Sequence, residues 1–127
     1  MTPSHQELFE RYVYAGAIMR DPAAVADLFA EDGVFEAPLV PEGHGLPRRL
    51  EGRDAIEAGI TAFHAEPAFE GPVDTERSRY VLHDTVDPDV FIAEIDTVFA
   101  AGTMSLVQIF RIRDDKIVLV RDYFRAP

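Results

Sequence analysis

Apolar positions recur at intervals of three and four through the first half of the chain and at intervals of two through its last third, which predicts helices first and strands afterwards. Leu8, Phe9, Tyr12, Val13 and Gly16 make one helical stripe from about His5 to Met19, and Ser4 followed three residues later by Glu7 predicts a capping-box start. The stretch RDPAAVADLFAEDG predicts a shorter second helix, with Asp21 as N-cap, Pro22 at the first helical position and Gly33 at the end. VFEAP reads as a short strand stopped by Pro38, and the three Pro and three Gly between Pro38 and Gly52 predict an irregular loop. A third helix is predicted from about Arg53 to Ala65, with Ile56, Ile60 and Phe63 as its stripe.

After EPAFEGPVD the period changes to two. RSRYVLHDTV, VFIAEIDTVFAA, TMSLVQIFRIR and KIVLVRDYF are separated by DPD, AG and DD, which is turn chemistry for an antiparallel meander. Helices followed by hairpin-connected strands predict a single α+β domain over residues 1–127, its helices packed on one face of a curved sheet.

Charge and composition narrow the partners. Twelve Lys and Arg against 23 Asp and Glu give a net charge of -11, and the basic residues form no stripe, so nucleic acid is not an expected partner. With no Cys, disulfides, thiolate metal sites and cysteine nucleophiles are excluded. His5, His44, His64 and His83 show no metal-ligand spacing, so no metal is expected. The charged N-terminal stretch has no continuous apolar region and no window approaches the ~20 apolar residues of a membrane span, so a soluble, cytoplasmic protein without membrane contact is expected.

The closing stretch IVLVRDYFRAP carries the sharpest chemical signal. Alternation puts Asp122 on one face with Val118, Val120 and Phe124, while Arg121 and Tyr123 share the other with Leu119. Asp122 either pairs with an adjacent Arg or meets water at a strand end, or it is a carboxyl held in an apolar cavity, where its pKa rises and suits it to proton transfer. Glu94 and Asp96 share a face whose direction depends on the following turn. A three-residue loop Ala100-Ala101-Gly102, with Gly102 left-handed, places Asp96 opposite Leu106 and Glu94 opposite Gln108; a two-residue turn sends both acids to the far side. Gly at the third loop position favours the longer loop. That register leaves Phe91, Ile95, Phe99, Val107 and Ile109 on the outer face, which predicts a two-fold homodimer through the sheets. Gln108 lies in an apolar row with Met104, Leu106 and Phe110, where an amide needs hydrogen-bond partners. His64, near the end of the third helix, reads as a surface residue.

Three stretches, AEDGVFEAP, EGRDAIEAGITAF and DDKIVLVRDYF, resemble the nuclear-transport-factor-like superfamily, which includes ketosteroid isomerases, limonene epoxide hydrolases and SnoaL-like polyketide cyclases. The resemblance implies a cone-shaped curved antiparallel sheet with three N-terminal helices on its concave face, and a pocket inside the cone. It also implies cofactor-free acid–base chemistry of secondary metabolism on an apolar, oxygenated small molecule: cyclisation, isomerisation, dehydration or epoxide opening. On this reading Asp122 transfers the proton with Asp96 or Glu94 as partner carboxylate. Gln108 lies where the isomerases have an acidic oxyanion donor, and Tyr12, or alternatively Tyr14, resembles their helix-one tyrosine. Phe35, Phe110 and Val120 complete the expected wall, and His44 sits in a Gly/Pro loop placed to cap the cone. Two departures restrict the activity: Ala37 stands where the isomerases have their proton-shuttling Asp, and Phe35 and Ala37 where the epoxide hydrolases have their water-holding Tyr and Asn. A non-catalytic binding or dimerisation domain of the same fold is the competing reading.

Overall fold

The computed structural model describes residues 3–41, 47–65, 67 and 69–125. Helix α1, His5–Val13, starts in the expected capping box: Ser4 accepts from the Glu7 amide while the Glu7 side chain accepts from the Ser4 amide. The helix then widens into a π-helical turn, Tyr14–Ile18. Helix α2 spans Pro22–Asp27, with the Asp21 carboxylate accepting from the Ala24 amide, and α3 spans Arg53–Ala65. The second helix is shorter than its pattern because Phe29, fully buried, pairs with Ile117 and starts strand β1, Phe29–Glu36. Tertiary burial overrides the local helical period there. Among the described residues no helix is long and apolar enough to cross a membrane.

The remaining strands are β2 (Arg49–Glu51), β3 (Arg79–Asp84), β4 (Val90–Phe99), β5 (Gly102–Arg113) and β6 (Lys116–Tyr123). Among the described residues they form one curved, unclosed six-stranded sheet in the order β2-β1-β6-β5-β4-β3. β3 to β6 are the expected antiparallel meander. β1 joins it parallel to β6, because the chain crosses from one edge of the meander to the other through the helical layer. The short β2 falls inside the stretch expected to be loop and pairs antiparallel with β1.

The core lies between the helices and the concave face. Phe9, Phe29, Phe91 and Phe110 are fully buried, each contributing roughly 2–3 kcal/mol of hydrophobic stabilisation. Phe91 stacks on Phe110 at 4.7 Å, and Phe9 and Tyr12 from α1 meet Phe110 edge-on at 5.8 and 5.1 Å. This aromatic cluster fills the narrow part of the cone. The wider part, toward α3, is not filled.

The β4–β5 hairpin differs from the expected register. Phe99 pairs with Gly102, so the turn is the two residues Ala100 and Ala101; Ala93 lies opposite Gln108 and Asp96 opposite Ser105. Glu94 and Asp96 therefore point to the convex face, and Phe91, Ile95 and Phe99 point inward. The expected outer apolar face built from those three aromatic and aliphatic residues is corrected accordingly.

Candidate active site

A cavity of about 230 Å³ opens in the wide part of the cone, walled by α1, its π turn, α3 and the concave face of the sheet. Its lining is mostly apolar; the described groups with polar chemistry are Thr97, Gln108 and Asp122 from the sheet, and Tyr12, Arg20 and His64 from the helical side. Asp122 is only 8% exposed and Gln108 5%. They face each other across β5 and β6, and Gln108 Nε2 donates to Asp122 Oδ2 at 3.1 Å. Asp122 Oδ1 and Gln108 Oε1 have no hydrogen-bond partner among the described residues.

Among the described residues no cation neutralises this carboxyl. Arg121, the neighbour that a structural pair would use, emerges on the convex face beside Glu36 at 3.9 Å and over the Tyr123 ring. Burial pushes the Asp122 pKa up to about 7, with the Gln108 hydrogen bond opposing the rise. Both protonation states are then populated at neutral pH. Tyr12 is held well above the ordinary phenol value by burial and by the charge of Asp122, so its hydroxyl remains a donor.

Several expected site residues fall elsewhere. Glu94 and Asp96 lie on the convex face, where Glu94 meets His83 at 3.1 Å and Asp96 accepts from Ser105 at 2.6 Å, so neither is a partner carboxylate for Asp122. Their places on the concave face of β4 are taken by Ile95 and Thr97. Tyr14 is 58% exposed, because each residue of helix adds about 100° of rotation; Tyr12 faces the cavity instead. Phe110 and Val120 are fully buried beneath the lining rather than in it, while Phe35 lines the cavity. The β-bulge beside Arg111 turns Ile117, not Val118, into the core face of β6. His44 lies outside the described residues.

His64 and Arg20 are additions that the sequence pattern does not supply. His64 lines the cavity half-buried instead of lying on the surface. Its pKa is lowered by burial and by the charge of Arg20, against a backbone hydrogen bond at Gly16, and its Nδ1 has no partner among the described residues. Arg20 ends the π turn with φ +50°, a left-handed conformation that costs a side-chain-bearing residue roughly 1 kcal/mol and is normally given to Gly. Its guanidinium donates to the Gly71 carbonyl. A sequence signal exists for neither, because each faces the cavity only through the way the π turn and α3 pack.

The profile of the SnoaL-like domain matches residues 9–120. The chain belongs to the SnoaL-like family. This SnoaL-like domain is 28% identical over 123 residues to the uncharacterised protein YesE of Bacillus subtilis, covering 90% of this chain and 77% of that one. Among solved structures it resembles a Bacillus subtilis protein provisionally described as an isomerase, with TM-score 0.75 and 25% identity over 94% of this chain and 85% of that one. It also resembles a Pseudomonas putida protein provisionally described as a polyketide cyclase, with TM-score 0.68 and 19% identity over 97% and 92% of the two chains; that likeness shows the fold. The cone-shaped nuclear-transport-factor-like architecture is thereby shown for this SnoaL-like domain.

Proposed function

We propose that the protein is an enzyme that moves protons on an apolar, oxygenated small molecule, with Asp122 as the general acid and base. The observation that carries this reading is the Asp122 carboxyl itself: buried in an apolar cavity, with no cation beside it among the described residues, one oxygen held by Gln108 and the other unpartnered. Such a group is costly to keep, on the order of several kcal/mol when ionised, unless its ionisation is used.

In the step that fits these residues, Asp122 Oδ1 takes a proton from carbon next to a substrate carbonyl. The C–H electron pair passes to the carbonyl oxygen, and the Tyr12 hydroxyl donates a hydrogen bond to the resulting enolate. With a β,γ-unsaturated ketone the enolate is a dienolate, and protonated Asp122 returns the proton at its far carbon, which is isomerisation. Alternatively the enolate carbon attacks another carbonyl of the molecule, the π pair of that carbonyl passes to its oxygen, and protonated Asp122 gives its proton to the resulting alkoxide, which is cyclisation. Gln108 is a positioning residue in this scheme: its amide donor fixes the carboxyl, and its Oε1 is left to accept from a substrate hydroxyl. The provisional descriptions of the two solved relatives, an isomerase and a cyclase, agree with this class of step. Epoxide opening is less well supported, since Phe35 and Ala37 offer no polar atom to hold a water.

Deuterium uptake tests the proton transfer whatever product the full reaction yields. Cyclic and aromatic ketones incubated with the protein in D2O should gain deuterium next to the carbonyl, and Asp122→Asn should lower the rate at least a hundredfold. Tight binding of the same ketones without any enzyme-dependent exchange would instead establish the non-catalytic binding domain. We also propose that two copies associate through the convex face of the sheet, where Val81 and Val107 are exposed.

A further inference from the structure

The cavity has a second polar end, and the proton-transfer reading leaves it unused. Arg20 is the one permanently charged side chain among the described cavity-lining residues, and it comes from the helical side, whereas Asp122 comes from the sheet. Among the described residues no carboxylate lies within salt-bridge distance of it, in a chain with 23 acidic residues. One terminal nitrogen donates to the Gly71 carbonyl, which leaves most of the guanidinium's five donors free. Beside it, His64 holds a buried Nδ1 that has no partner among the described residues. The backbone supports a functional reason for Arg at this position, because φ +50° suits Gly and strains Arg.

We infer that the Arg20 and His64 end of the cavity is an anion subsite, and that the ligand is an apolar molecule carrying a carboxylate at one end and a carbonyl or hydroxyl at the other. Arg20 is exposed while also lining the cavity, so its planar guanidinium fork is open to a carboxylate at that end of the ligand. The net charge of -11 makes a local cation more telling: anions are repelled by the molecule at long range, so selection for one must be made by a placed group. The two polar ends also fix direction. With the carboxylate at Arg20, the reacting oxygen is presented to Gln108, Tyr12 and Asp122. This inference rests on the proton-transfer reading for the role of the far end, but the subsite stands or falls by its own measurement.

The titratable groups facing the described cavity are Tyr12, Arg20, His64 and Asp122. Because the charge of Arg20 holds the His64 ionisation down, an anion seated against Arg20 should raise it, which makes His64 an internal reporter.

The test uses 6-hydroxy-2-naphthoate and its neutral amide, two molecules of one shape that differ in charge. The wild type should bind the acid at least tenfold more tightly than the amide in calorimetric titration. Arg20→Gly, which suits the left-handed backbone, should remove that preference by weakening the acid at least tenfold more than the amide, and should melt no lower than the wild type. Arg20→Lys should keep most of the preference. In proton NMR titrations the acid, but not the amide, should raise the His64 pKa. Equal wild-type affinity for acid and amide, or equal weakening of both in Arg20→Gly, overturns the anion subsite while leaving proton transfer at Asp122 untouched. If neither compound binds the wild type, the cavity does not take an aromatic acid of this size and the inference is overturned; the deuterium-uptake experiment then decides separately whether the Asp122 reading survives.

Discussion

A buried carboxyl whose folded pKa lies above its unfolded value makes folding depend on pH in a defined direction. Asp122 moves from 3.8 to about 7 on folding, so the native state binds its proton more tightly than the unfolded chain does. Its contribution to stability is fully present below about pH 4, the ordinary range of a free Asp, and is lost as pH climbs through 7. The loss approaches roughly 4 kcal/mol above that window, since each tenfold difference in proton affinity between the two states is worth about 1.4 kcal/mol. Asp122→Asn removes the ionisation and keeps the shape, so wild type and variant should melt close together at pH 4.5, and the variant should melt clearly higher at pH 8.5. A variant that is less stable at both values would mean the carboxylate is held by a structural partner, and the catalytic role would fall with it. Asp122 is legible as an anomaly because period-two alternation alone places it in an apolar row. Arg20 and His64 are not: alternation and helical spacing report which face of an element a residue takes, and these two reach the cavity through how separate elements meet.

At the scale of the element, the last two of the meander's three hairpin turns show why one register is legible and the other is not. Between β5 and β6, Asp114 and Asp115 have φ of +52° and +64°, the pair of left-handed residues that a two-residue hairpin turn compatible with strand twist requires. Asp tolerates that conformation at a cost, so Asp115→Gly should raise stability by about 0.5–1 kcal/mol, measured by urea denaturation with an unchanged m-value. Between β4 and β5 the Gly misleads. Gly102 is not left-handed; it pairs with Phe99 inside the ladder, and its missing side chain makes room for the Phe69 ring, whose Cε1 would lie 2.7 Å from an added Cβ. Glycine for close approach and glycine for a turn look the same in a sequence, and the one-residue difference sends Glu94 and Asp96 to the other face of the sheet. Gly102→Ala should push Phe69 off the cavity wall, destabilise the fold by roughly 1–2 kcal/mol and weaken ligand binding in the same titrations used for Arg20. Helix boundaries are legible where a cap or a stripe marks them, as at Ser4 and over α3. They are hidden at Phe29, where pairing with Ile117 decides.

For the whole molecule, the corrected register changes the case for assembly without removing it. Phe91, Ile95 and Phe99 are inside the cone, so the convex face is less apolar than the pattern implies. It still presents Val81 at 53% and Val107 at 37% exposure in the middle of the meander, on neighbouring strands to either side of Glu94. The charges around them are matched locally rather than left repelling: His83 meets Glu94, and Arg79 stands opposite Asp96 in the ladder. A face with exposed valines ringed by matched charges suits a second copy of itself better than solvent, since a two-fold contact sets the same valines against each other and lets the ring of acids and bases pair across the axis. Sedimentation at micromolar protein should therefore give the mass of two chains, and Val81→Lys combined with Val107→Lys should give the mass of one while the pH-dependent melting of Asp122 persists. The cavity is lined by the helices and the concave face of the sheet, with Val81 and Val107 outside its lining, so ligand selectivity should be the same in dimer and monomer. A wild-type chain that sediments as a monomer would remove the convex face as an interface, and Val81 and Val107 would then be ordinary exposed residues of an open sheet.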